Sequence, residues 1–246
     1  MRKQRRQLGP LLPRRRRRQR PTLRPRPTLE HRLHPLIQIL RTHTTRREGH
    51  MAAAFIGLDV ETTGLDAHFD IILEIGMVAF DQRLRPLGSW SSVVQHRDDH
   101  IAIRRVGDVV QKMHQDSGLW ADLVDGMGKP PSNVSLEARR FMERWTDKKL
   151  PMLGSSVTFD RSFLARSMPE VLEKFHHRSL DAGTQFSDPG ALHHLLDEFA
   201  GHYTDQLLDE LGTQPHHRKP HRPIYDICAS AGMTMSATTL GRTWRP

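Results

Sequence analysis

Residues 55–65 read FIGLDVETTGL. Ala53 and Ala54 lead into Phe55, Ile56 and Leu58, apolar content suited to a buried strand. Thr62-Thr63-Gly64 closes the stretch as a turn signal. Asp59 and Glu61 lie between, and side chains two apart on a strand share a face. Two carboxylates on one face of an apolar strand repel each other and lose solvation, which is costly unless a cation sits between them. Hard divalent cations such as Mg²⁺ take oxygen ligands of this kind. Two readings stay open on these residues alone: a metal-binding pair, or an acidic pair at a solvated strand end.

Outward from this strand, IILEIGMVAF at 71–80 predicts a second strand and Ser89 to Gln95 a third, with Trp90, Val93 and Val94 as its apolar content. Short polar connections predict an antiparallel meander. Glu74 falls inside the second strand and reads as a structural or supporting carboxylate. Val109, Val110 and Met113 form an apolar patch, His114–Gly118 reads as a turn, and Leu119–Val124 as a short helix. Val134, Ala138, Phe141, Met142 and Trp145 recur at helical spacing. Leu150–Ser156 predicts a short strand. Asp160 then opens a helix, as a cap or as a ligand. Pro169–Phe175 reads as a helical turn and Arg178–Asp181 as a strand. Residues 191–199 and 205–211 read as two helices. Pro223 fits the first turn of a last helix, where its missing N–H costs nothing. That puts His221 on the preceding loop and Asp226 about one turn in, both able to face whatever the helix end packs against. His216, His217 and Lys219 read as a solvated loop, and the tail after Met235 carries no structure signal.

The 246 residues suffice for one sizeable domain or two small ones. The net charge of +9 joins two compositions. Residues 1–50 hold 16 basic and two acidic residues, a net of +14, and the remainder holds 21 basic and 26 acidic, a net of −5. The basic pI therefore says nothing about nucleic-acid binding by the rest. The Arg14–Arg18 run and frequent prolines predict a disordered Arg/Pro-rich extension over 1–50. It reads as a basic arm on nucleic-acid phosphates, as a targeting segment, or as sequence upstream of a true start at Met51; the abrupt change at Met51 favours the last. Residues 51–246 then form one domain. Cys228 is the only cysteine, so an intrachain disulfide is excluded. No apolar run approaches a membrane span and no signal-peptide pattern occurs, so a cytoplasmic protein without a membrane partner is expected.

Asp59 and Glu61 on the first strand, Asp160 opening a helix, then His221 and Asp226 with four residues between them, form an ordered set. It resembles the DEDD 3′→5′ exonuclease superfamily, in the branch that carries a histidine. Within it the chain resembles oligoribonuclease. DVETTGLD at 59–66 is similar to that family's first motif, and MHQDSGL at 113–119 to its THTASGL-type segment. GSSVTFDRSFLARSMPE at 154–170 is similar to GNS-x-x-x-DRRFL-x-x-x-MPE, and FHHRSLD at 175–181 to FHYR-x-LD. The likeness runs from about residue 53 to about residue 230.

The resemblance implies an α/β, RNase H-like exonuclease fold: a mixed central sheet of about five strands flanked by helices. It implies that Asp59, Glu61, Asp160 and Asp226 hold two divalent metal ions, Mg²⁺ or Mn²⁺, and that His221 takes the proton from the attacking water. It implies substrate contacts from Leu65, which would wedge against bases, and from Thr62, Gly64, His114, Ser156 and Arg178. Asp181 would be structural. The substrate implied is short single-stranded RNA, or DNA, with a free 3′ end, the products nucleoside 5′-monophosphates, and the assembly a homodimer with FHHR near its interface. The sequence departs from the family at two aromatic positions. Val109 stands where the family stacks a Trp on a base, and His177 where a Tyr helps cap the substrate end. Both departures bear on dinucleotide preference and leave the catalytic set untouched. Competing expectations are a proofreading-type or RNase T-like exonuclease on longer DNA or RNA, a noncatalytic nucleic-acid-binding protein, and a basic arm as the main functional element.

Overall fold

The computed structural model describes residues 52–96, 103, 105–187 and 193–243, so the reading of 1–50 as a basic extension lies outside the described residues. Three strands, β1 (Phe55–Thr62), β2 (Ile72–Phe80) and β3 (Pro86–Val93), form the expected antiparallel meander. β4 (Leu150–Gly154) and β5 (Phe175–Asp181) add in parallel on the other side of β1, giving the order β3-β2-β1-β4-β5. The helices are α1 (Asp108–Ser117), α2 (Leu119–Val124), α3 (Pro131–Trp145), α4 (Val157–Ser167), α5 (Pro169–Leu172), α6 (His193–Glu210) and α7 (Pro223–Thr243). This is the mixed five-stranded α/β fold that the resemblance implies. No described helix is long and apolar enough to cross a membrane.

Strand alternation sorts the central strand into two faces. Ile56, Leu58 and Val60 join Ile75, Met77 and Met152 against Val134, Ala138 and Phe141 of α3 and Phe163 of α4. On the other face Val78, Phe80 and Leu153 meet Leu207 and Leu208 of α6 and Ile224 and Ile227 of α7. Helices cover both faces, which is why β2 reads as an almost unbroken apolar run.

Gly57, Asp59 and Glu61 lie on the α7 face of β1. A Cβ at Gly57 would stand 2.4 Å from Ile227 Cγ2, and one at Gly76, paired with Asp59 across the strands, 2.5 Å from Pro223 Cβ. The first turns of α7 therefore lie directly on the backbone of β1 and β2. Side chains at either glycine would push α7 away, and with it the segment that carries His221 and Asp226.

Several elements differ from expectation. His114–Ser117 belong to α1, and the Ser-Gly signal marks its end: Gly118, at φ +90°, donates its N–H to the Gln115 carbonyl. Residues 193–210 are one helix that runs through Gly201. It packs tightly on α7, where a Cβ at Gly232 would come 2.7 Å from the Ala200 carbonyl oxygen. The chain after Met235 continues as helix to Thr243. Here Thr234, Ser236 and Thr238 donate their hydroxyls to carbonyls four residues back, at 3.0, 2.8 and 2.8 Å. Polar residues thereby pack as small apolar ones, a pattern without hydrophobic periodicity. β5 begins at Phe175 and β3 at Pro86, each three residues earlier than expected.

Replacing Gly76 by Val should lower the urea midpoint and cost about 1–3 kcal/mol through overpacking against Pro223. An unchanged midpoint would show that α7 does not depend on that close approach.

Candidate active site

β1 delivers two carboxylates to the place where its pairing with β2 becomes irregular. Glu61 pairs with Glu74, Thr62 then pairs with Ile72, and Leu73 is skipped. Such bulges re-aim side chains at strand ends. Glu61 is 6 % exposed, and Asp59 is partly exposed. The parallel register between β1 and β4 runs from Ile56↔Met152 to Gly57↔Leu153. Beyond it the N–H of Val60 donates to Asp160 Oδ1 at 3.1 Å, which brings that carboxylate from the first turn of α4 onto the same strand end. α4 is in turn fixed by Asp181, whose Oδ1 and Oδ2 accept from the N–H groups of Ser156 and Val157 at 2.9 and 3.1 Å. Asp181 is thus the structural residue it was expected to be.

From the other side, α7 places Asp226 in its first turn. The N–H of His221 donates to Asp226 Oδ2 at 2.9 Å. His221 is exposed and holds φ +61°. Among the described residues only Leu84, Ser156 and His221 are non-glycine residues with positive φ. For a non-glycine residue this costs about 1–3 kcal/mol and persists only where its surroundings hold it. One donor atom each from Glu61, His221 and Asp226 fall within 4.8 Å of one another.

The electrostatics of this group are dominated by burial and by mutual repulsion of its acids. Burial raises Asp59 well above the ordinary carboxylate range, and Asp160, Glu61, Asp226 and Glu74 push it further. Burial raises Glu61 to about 8, with Asp226 and Glu74 adding to the effect and Arg222 opposing it. Burial raises Asp160 to about 7 against the opposing hydrogen bond from Val60. Burial likewise raises Asp226 to about 7 against the His221 N–H. Several hard oxygen donors, desolvated and mutually repelling, with the exposed His221 imidazole beside them, fit a divalent cation.

The other residues picked from sequence are arranged around this group. Leu65 is 86 % exposed on the loop after β1. That loop is clamped by Asp70, which accepts from the Thr63 hydroxyl at 2.9 Å and the Asp66 N–H at 3.0 Å. A Cβ at Gly64 would come 2.4 Å from Asp70 Oδ2, so a side chain there would displace the carboxylate that clamps the loop. The Thr62 hydroxyl is spent on the Gly64 carbonyl at 2.6 Å. Ser156 and Arg178 are exposed, the latter on edge strand β5. His114, expected as a substrate contact, is fully buried. Its Nε2 lies 2.9 Å from the Thr62 carbonyl oxygen and its Nδ1 3.8 Å from Glu61 Oε2. The ring supports the end of β1 and has no face open to a ligand.

The sequence reading missed Arg222. It is 1 % exposed and pairs with Glu74, which is fully buried and directly opposite Glu61. Asp122 of α2 and His217 complete its surroundings, so His217 belongs to a half-buried polar network and not to a solvated loop. Glu74 was the available signal: a carboxylate inside an apolar strand needs a cation.

The sequence profile of the exonuclease family matches residues 56–234. The oligoribonuclease of Haemophilus influenzae (strain PittGG) is 28% identical over 155 residues, 63% of this chain and 78% of that protein. The oligoribonuclease of Shewanella sp. (strain ANA-3) is 35% identical over 130 residues, 52% of this chain and 71% of that protein. Among solved structures, the exonuclease I from Methylocaldum szegediense matches with a TM-score of 0.51 at 16% identity, over 78% of this chain and 41% of that one. The chain spans about two fifths of that neighbour's length, and the likeness is one of fold.

The raised carboxyls give a signed expectation. They hold protons more tightly in the folded chain than in the unfolded one, so without metal the stability falls as pH rises from about 4 to about 8. A divalent cation binds the charged forms and removes the penalty. In chelator, the melting temperature should therefore drop between about pH 5 and about pH 8, and saturating Mn²⁺ should raise it more at the higher pH. Equal metal-induced shifts at both pH values would separate the acid cluster from metal binding.

Proposed function

Because this chain belongs to the exonuclease family, in its oligoribonuclease branch, we propose that it hydrolyses short single-stranded RNA from the 3′ end and releases nucleoside 5′-monophosphates. The observation that carries the reading is the joint placement of Glu61, His221 and Asp226, with Asp59 and Asp160 brought to the same strand end. Asp59, Glu61, Asp160 and Asp226 are the residues that would hold two divalent ions, Mg²⁺ or Mn²⁺. Bound there, such ions supply neutralisation of phosphate charge and acidification of a water. His221 takes the proton from the attacking water, being the exposed nitrogen base beside the acidic group. Its backbone is tethered to Asp226, so base and carboxylate keep a fixed relation.

A cleft of about 420 Å³ adjoins His221 and is lined by Val109, Met113 and Pro220 together with Lys112 and Lys219. Its apolar part suits a base and Lys219 suits a phosphate, while Lys112 is paired at 2.9 Å with Asp116, which lines the same cleft. Leu65, exposed on its clamped loop, wedges against a base. Ser156 and Arg178 serve the phosphate and the chain end. The enzyme acts in the cytoplasm as a homodimer, with the exposed edge strand β5 near the subunit interface.

One observation favours a second reading, an exonuclease of longer single-stranded RNA or DNA. Val109, 82 % exposed, and His177, also exposed, stand where the resemblance expects aromatic contacts to a very short substrate.

A digestion series of RNA and DNA oligonucleotides from two nucleotides upward, with Mg²⁺ and with Mn²⁺, tests both. Fastest release of mononucleotides from the shortest RNA is expected. Resistant dinucleotides beside degraded long strands would favour the second reading, and no hydrolysis with either metal would exclude both. Asp59→Asn should abolish turnover with the fold intact. His221→Ala should lower kcat by about 10²–10⁴-fold with metal still bound.

A further inference from the structure

His221 and Arg222 are neighbours with opposite fates. The first is exposed, and the second is 1 % exposed. The Arg222 guanidinium donates from Nη2 to Glu74 Oε1 at 3.1 Å and from Nη1 to Asp122 Oδ2 at 2.7 Å. Its Nε stands 2.9 Å from Glu74 Oε2, a charge contact outside hydrogen-bond alignment. His217 Nδ1 lies 3.3 Å from Nη2. Glu74 is on β2, Asp122 on α2 and His217 in the turn at Pro215–His217, so one side chain ties three elements together. A buried guanidinium that lost these partners would be an uncompensated charge in the interior. Its position is therefore tightly determined. His221, one residue away, holds a left-handed backbone that a non-glycine residue does not keep unaided.

We propose that Arg222 is a positioning residue for His221: gripped by Glu74 and Asp122, it fixes the short arm that presents the base, and it does not touch substrate. The inference rests on the reading of His221 as the proton acceptor. Lysine is a poor replacement, because a point charge on a flexible stem cannot grip two carboxylates as the planar fork does. An arm that is only slightly misplaced loses rate and not binding.

Four proteins decide the matter: wild type, Arg222→Lys, His221→Ala and the double variant, each assayed on RNA oligonucleotides with Mn²⁺. Circular dichroism melting and Mn²⁺ titration run alongside. A wild type without activity, or a fully active His221→Ala, overturns the parent reading of the base. With that reading intact, Arg222→Lys should lower kcat by about 10–100-fold while KM and Mn²⁺ affinity stay within about twofold. In the His221→Ala background the same substitution should change kcat by less than about twofold, since the arm then carries no base. An equal loss in both backgrounds, a rise in KM, or weakened Mn²⁺ binding would overturn the positioning role. If Arg222→Lys does not fold, Asp122→Asn loosens the same grip from a partly exposed carboxylate. The same non-additive fall in kcat is expected of it, and an unchanged kcat would overturn the proposal.

Discussion

Glu61 and Glu74 face each other across β1 and β2, both buried, on the face that α7 covers. Like charges directly opposite in a sheet destabilise it, and burial multiplies the effect. The chain treats the two acids differently. Glu74 is met by the Arg222 guanidinium. Glu61 has Asp59 and Asp226 as neighbours and, among the described residues, no Lys or Arg within ion-pair distance, Arg222 acting on it only from the β2 side. Among the described residues Arg222 is the one fully buried Lys or Arg side chain, and it serves the β2 side. The β1 side is thereby left with acids grouped as a cation site requires. Both outcomes need α7 to lie close, which Gly57 and Gly76 allow. The approach that lets Arg222 reach Glu74 also sets Asp226 and His221 beside Glu61.

Around that contact, polar groups are used to hold backbone and not to hold ligand. Asp181 caps α4 and so fixes Asp160. Asp70 clamps the loop that carries Leu65. His114 supports the Thr62 carbonyl. Asp181 and His114 lie far along the chain from the groups they hold, and Asp70 closes its own loop. Rate in a metal-dependent hydrolase depends on groups held within fractions of an ångström, and such anchors are how a scaffold achieves it.

Much of this was legible from residues. The apolar run of β2, broken only by Glu74, the i, i+2 acids of β1 and the Pro223 signal each follow from one local rule, and each is where the sequence placed it. The acid–histidine set was legible through its likeness to the ordered motifs of the exonuclease superfamily, since the Asp59 and Glu61 pair alone left two readings open. Three things were not legible, for distinct reasons. The last turns of α7 hide their hydroxyls in their own backbone, which leaves no apolar periodicity to read. Gly201 lies mid-helix, where close packing of α6 on α7 outweighs its low propensity. The partner of Glu74 lies 148 positions along the chain, and long-range ion pairing has no sequence period.

The same division between held and free residues bears on how specificity can change. Gly76, Arg222, Asp181 and Asp70 are bound into packing or hydrogen bonds, so substitution there disturbs the fold or the arm that carries the base. Leu65 and Val109 are 86 % and 82 % exposed, and His177 is exposed on an edge strand, so their side chains carry little of the fold's stability. Val109 lines the cleft beside His221, and an exposed apolar side chain contributes through what it meets and not through the core. The two departures from the family's aromatics, Val109 and His177, fall in this free class. Neither takes part in the Glu61–Glu74 contact or in the Arg222 pairing beside it. The acids of the site and the exposed side chains around it are therefore separable, because they are held in different ways.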